Sequence, residues 1–182
     1  MNIAGVRLGK IARHEDGRGS FRELWRASWF DGERFVQANA SVSAPGVLRG
    51  LHMHRRQTDH WVVRRGRAFV ALVDIRAPLA GGGVAVVATL EMGADDWCAI
   101  PPGVAHAFLA LEELEMLYLV TNEYDGSDEL GFAWDDPTVG VPWPTIGRPG
   151  GSGGSGGDPI LSERDRTNPT LGELLQSLRA LP

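Results

Sequence analysis

A length of 182 residues, 43% hydrophobic and 23% charged, fits a single globular domain with enough chain to bury a core. A net charge of −5 and a pI near 5.5 argue against an extended nucleic-acid surface. No run is apolar enough to span a bilayer and no charged-then-apolar leader opens the chain, so the sequence predicts a cytoplasmic protein without membrane contact.

In chain order, Asp31 to Phe35 has the character of one helical turn, and Phe35 to Val42 alternates with Gln37, Asn39 and Ser41 on one face. His52 and His54, spaced i, i+2, share a face if Arg49 to His54 is a strand. Trp61 to Val63, Ala68 to Ile75, Val84 to Leu90, Trp97 to Ile100, Phe108 to Leu111 and Met116 to Thr121 read as further strands. Arg65-Gly66, Gly81-Gly82-Gly83 and Gly93 mark turns between them. Many short strands at close spacing predict an all-β sandwich or barrel. Thr170 to Leu178 is amphipathic, with Thr170 as N-cap, and predicts a helix packed on the outside of the sheets. Gly150 to Gly157 is a flexible Gly/Ser insert, read as a surface loop within one domain spanning 1–182.

Lys10 is the only lysine among 18 basic residues. Guanidinium suits a bidentate grip on phosphate or carboxylate at particular positions, whereas a GC-rich genome better explains the overall skew. The one cysteine, Cys98, lies in the apolar run Trp97 to Ile100 and reads as a buried small hydrophobe in a reducing compartment. The chemistry concentrates in His52, His54, Asp59 and His106. Three imidazoles and a carboxylate can cage a divalent metal. A single imidazole among them can instead serve as a base, or all four can simply be polar residues on a wet sheet face.

His52-x-His54 followed by Asp59 and Gly66, with Pro101-x-Gly103-x-x-His106, resembles the two signatures of the cupin superfamily, whose fold is a jelly roll. A fuller resemblance runs through Asp16 to Glu23, Gln37-x-Asn39, Val47-Leu48-Arg49-Gly50-Leu51-His52, Val73 to Arg76 and Ile100 to Phe108. It continues through Leu117-Tyr118, Thr121-Asn122-x-Tyr124, Gly131 to Pro137, Val141 to Pro144 and Leu161-Ser162-x-x-Asp165. In that order these segments resemble the dTDP-4-dehydrorhamnose 3,5-epimerases, metal-free members of the cupin fold.

The resemblance implies a homodimeric, cofactor-free epimerase acting next to the C4 ketone of a dTDP-linked 4-keto-6-deoxyhexose. It gives His52 the role of base, Asp165 that of its orienting carboxylate and Tyr118 that of acid. It assigns substrate contacts to Arg18, Glu23, Gln37, Asn39, Arg49, His106 and Tyr124, with Arg18 and Glu23 completing the neighbouring subunit's site. Trp25 and Trp29 are weaker candidates for stacking on thymine.

Two departures stand out. Asp59 occupies the position where the epimerases carry an enolate-stabilising lysine, and Met53-His54 replaces an aromatic-glutamine pair. Three readings follow: a metal-free epimerase in which Arg49, alone or with protonated His54 or His60, supports the enolate; a metal enzyme using His52, His54, Asp59 and His106; or a catalytically silent nucleotide-sugar-binding homologue.

Overall fold

The computed structural model describes residues 2–30, 32–145 and 157–180. One antiparallel sheet is ordered β1 (Arg7–Lys10), β9 (Asp96–Ile100), β6 (Asp59–Arg65), β11 (Leu114–Val120) and β4 (Gln37–Ser43). The other is ordered β12 (Leu130–Gly131), β5 (Leu48–Met53), β10 (Val104–Ala110), β7 (Arg67–Asp74) and β8 (Val86–Gly93). A separate ribbon pairs β2 (Arg13–Asp16) with β3 (Gly19–Arg22). The architecture is a jelly-roll sandwich, and among the described residues the two sheets do not close into a barrel.

In the sheet that contains β7 and β10, alternation along the strands divides the side chains between two cores. In β7, Ala68, Val70 and Leu72 join Trp61, Val63, Met116 and Cys98 between the sheets. Ala71 and Val73 point the other way, into a second core beneath α3 (Leu171–Arg179). Leu171, Leu174, Leu175 and Leu178 form the apolar stripe that covers this face, while the capping box of Thr170 and Glu173 starts the helix. Leu174→Ala is therefore expected to cost about 2–4 kcal/mol in urea unfolding. The kcat of the folded fraction should be unchanged, because this helix lies on the face away from the inter-sheet core.

The strand expectations hold in position and differ at their ends, with α3 beginning where its cap requires. The turn expected over 31–35 does not form: the helical turn is Ala27–Trp29, residues 33–36 carry no helix, and Asp31 lies outside the described residues. Phe30 and Phe35 instead pack against His60, which favours an extended run over the outer sheet face. The Gly/Ser insert at 150–157 lies outside the described residues except for Gly157. On its far side the chain returns to the same sheets, through the parallel bridge of Ile160 with Val47 and through α3.

One irregularity positions the site. On β10, Phe108 pairs with Arg49 and His106 with His52, so Gly50 and Leu51 together oppose Ala107. In a regular strand, residues 49 and 52 point to opposite faces. The bulge turns both onto the inner face while Leu51 and Met53 stay in the outer core.

Candidate active site

A cleft of about 190 Å³, open to solvent, lies between the two sheets. One wall consists of two cross-strand rows, Gln37–Val120–Asp59 and Asn39–Tyr118–Trp61, running over β4, β11 and β6. The facing wall consists of Arg49–Phe108 and His52–His106 on β5 and β10. Trp61 stacks edge-on against both His106 and Phe108 and separates the cleft from the core.

His52 is half-buried, with its Nε2 2.7 Å from Oδ1 of Asp165. The other oxygen of Asp165 accepts the Ser162 hydroxyl at 2.9 Å, and Ser162 caps α2 (Glu163–Thr167), the helix that carries Asp165. Burial alone would raise the Asp165 carboxyl. The hydrogen bond and charge of His52, the Ser162 hydroxyl and nearby Arg164 outweigh it and hold the group below its ordinary value. An ionised carboxylate only accepts, so Nε2 of His52 carries the proton and Nδ1 of the neutral ring keeps its lone pair. That Nδ1 lies 3.9 Å from Glu129 Oε1. Burial likewise pushes Glu129 up, but Arg164, donating at 2.9 Å, and the adjacent imidazoles bring it below its usual range.

Of the residues the resemblance singled out, Gln37, Asn39, Arg49, His106, Tyr118 and Tyr124 line this cleft together with His52. Gln37 links two of them, donating to Asn39 Oδ1 at 2.9 Å and accepting the Tyr124 backbone N–H at 3.0 Å. Arg49 is exposed, and its Nε donates to Ser43 at 3.1 Å. Arg18 and Glu23 do not reach their own chain's cleft: Arg18 projects from the β2–β3 ribbon, and Glu23 pairs with Arg26. Trp25 and Trp29 do not line it either; Trp25 packs edge-on against Phe35.

Period two places His54 beside His52 in the cleft, but the four-ligand set breaks up. His52 belongs to Asp165, whereas His54, Asp59 and His106 gather as a separate buried group. The idea that a protonated His60 supports an enolate is overturned. Its ring lies among Phe30, Phe35 and Trp97 on the outer face, and burial lowers its pKa to about 4. Cys98 is buried, and its thiol is pushed up to about 12, in keeping with a structural role. Glu129 and Gln57 were not anticipated as cleft residues. Only the pairing of β12 with β5 brings Glu129 in, and no local pattern in the sequence marks it.

A profile described as dTDP-4-dehydrorhamnose 3,5-epimerase matches residues 1–173. The spore coat polysaccharide biosynthesis protein SpsL of Bacillus subtilis is 40% identical over 149 residues, 79% of this chain and 97% of its own length. A dTDP-4-dehydrorhamnose 3,5-epimerase of Sinorhizobium fredii is 35% identical over 185 residues, 96% of this chain and 89% of its own. Among solved structures, ChmJ, a 3'-monoepimerase from Streptomyces bikiniensis in complex with dTDP-quinovose, superposes with a TM-score of 0.81 at 28% identity. That superposition covers all of this chain and 91% of the other. With the profile running almost end to end and relatives above 30% identity over nearly the full length, this chain belongs to the dTDP-4-dehydrorhamnose 3,5-epimerase family.

Proposed function

We propose that the protein epimerises a dTDP-linked 4-keto-6-deoxyhexose at C3, C5 or both, by removing and returning a proton beside the C4 ketone. The observation that carries this reading is the His52–Asp165 pair, with the bare Nδ1 of His52 in a cleft whose opposite wall bears Tyr118. His52 takes the proton from the carbon, and the electron pair passes into the enolate on the C4 oxygen. Asp165 stabilises the resulting imidazolium. Tyr118, from the other wall, returns a proton to the opposite face, which inverts the centre. Arg49, exposed and donating through Nε to Ser43, offers its remaining guanidinium N–H groups to the diphosphate or the enolate oxygen. The proton cycle uses an acid and a base and calls for no redox carrier.

The working unit in this reading is a cytoplasmic homodimer. In this reading the β2–β3 ribbon, exposed on the single chain, is the element that would carry Arg18, followed by Glu23, to the partner subunit's cleft. No helix among the described residues is long and apolar enough to cross a membrane.

Asp165→Asn is expected to lower kcat by about 10²-fold or more, through loss of the charge that steadies the imidazolium. It also alters the pH dependence of stability. The folded carboxyl sits below its ordinary value of 3.8, so its contribution is present above that value and is lost as pH falls through the folded pKa. Urea midpoints of the variant should consequently decline less than the wild type's on acidification below about pH 4.

Incubating the protein with dTDP-4-keto-6-deoxyglucose in D2O tests the reading directly. Deuterium at C3 or C5, read by mass spectrometry and NMR, is the expected result. Tight dTDP-sugar binding with no label after prolonged incubation would instead favour the catalytically silent binding homologue.

A further inference from the structure

The geometry points to a divalent transition-metal site made by His54, Asp59 and His106, distinct from the His52–Asp165 pair. The three residues are each at most 6% exposed, and one ligand atom from each lies within 4.8 Å of the others. Nε2 of His54 is 3.8 Å from Asp59 Oδ1, and Nε2 of His106 is 3.6 Å from Asp59 Oδ2. These separations exceed a hydrogen bond. They approach the roughly 3.3 Å that two donors adopt on a tetrahedral ion with bonds of about 2.0–2.1 Å.

The second ring nitrogens point to the same conclusion. Nδ1 of His54 donates to the Asp128 carbonyl at 2.8 Å, and Nδ1 of His106 faces the Val104 carbonyl at 3.3 Å. That leaves Nε2 of each neutral ring with its lone pair aimed at the shared space, the tautomer that a ligating imidazole needs. Gln57 and Trp61 donate to Asp59 at 2.7 and 3.2 Å and fix the carboxylate. Such outer hydrogen bonds orient metal ligands. Within 4 Å, among the described residues, the charged or chargeable partners of this buried carboxylate are the two imidazoles alone.

Two imidazoles and one carboxylate suit Zn²⁺, Fe²⁺ or a related ion with open positions. Those positions would face the cleft beside His52 and Tyr118. The role of the ion's charge, opposite an enolate oxygen, rests on the epimerase reading; the binding itself does not.

The test therefore needs no sugar. Chelator-treated full-length protein is titrated with Zn²⁺ by calorimetry and with Co²⁺ by visible absorption. One ion per chain is expected, with d–d bands of a mixed nitrogen and oxygen ligand set. His54→Gln, Asp59→Asn and His106→Gln should each weaken binding by about 100-fold or more, whereas His52→Ala should leave stoichiometry and spectrum unchanged. Should a variant not fold, the Co²⁺ spectrum of the wild type still reads the ligand set. Absence of saturable binding, or equal loss in His52→Ala, would overturn the site. Epimerase assays stand apart from this outcome, so failure of the sugar chemistry and failure of the metal site are separately visible.

Discussion

His52→Ala is expected to lower kcat on a dTDP-linked 4-keto-6-deoxyhexose by about 10²–10⁴-fold, the range that a positioned general base contributes. Affinity for dTDP should stay near wild type, because the imidazole sits at the reacting end of the cleft and not at the guanidinium of Arg49. The two nitrogens of His52 have separate tasks: Nε2 is held by Asp165 at 2.7 Å and Nδ1 stays free to work. Steady-state kinetics with parallel dTDP titration checks this. A kcat within tenfold of wild type would move the base elsewhere, and Glu129, 3.9 Å from the same nitrogen, would be the next residue to replace.

Gly50→Ala should be the most damaging single-methyl change in the site. Gly50 has φ +123°, a region that side chains rarely occupy. A Cβ there would lie 2.5 Å from the Ala107 Cβ, 2.6 Å from the His106 carbonyl oxygen and 2.7 Å from the Ala107 Cα. Two of those atoms are backbone of the central strand β10, which cannot swing aside. Backbone strain and overpacking together predict a loss of about 3–5 kcal/mol, a large share of a domain's total stability. The same methyl would force the bulge open and move Arg49 relative to His52. Misplacement by about 1 Å can cost 10²-fold in rate, so the folded fraction should also be slow. Thermal melts and active-site-normalised kcat read both effects. A stability change under about 1 kcal/mol would mean that the bulge is more compliant than its contacts indicate.

Much of the fold was legible because its cause is local. Alternation marks β4, short apolar runs mark β6, β7 and β11, and the Thr170–Glu173 cap with its leucine stripe marks α3. The features that escaped depend on partners far along the chain. The β2–β3 ribbon is almost wholly exposed and has no apolar face to betray it. The bulge at Gly50 exists only relative to β10. Helix α2 has no periodicity; Ser162 and the docking of Asp165 define it. In the site, period two correctly put His52 and His54 in one cleft, yet it could not divide their duties. The division comes from Asp165, 113 residues away, claiming one imidazole and from Asp59 drawing the other with His106. The joint motif order, and no spacing rule, linked Asp165 to His52.

The most direct test of the central claim follows deuterium out of the substrate. A dTDP-linked 4-keto-6-deoxyhexose labelled at C3 and C5 is incubated in ordinary water with wild type or His52→Ala, both saturated with the nucleotide sugar. Loss of label to solvent with wild type, and its retention with the variant, is the predicted result. Release at the wild-type rate without the imidazole would contradict the assignment of His52 as the group that takes hydrogen from carbon.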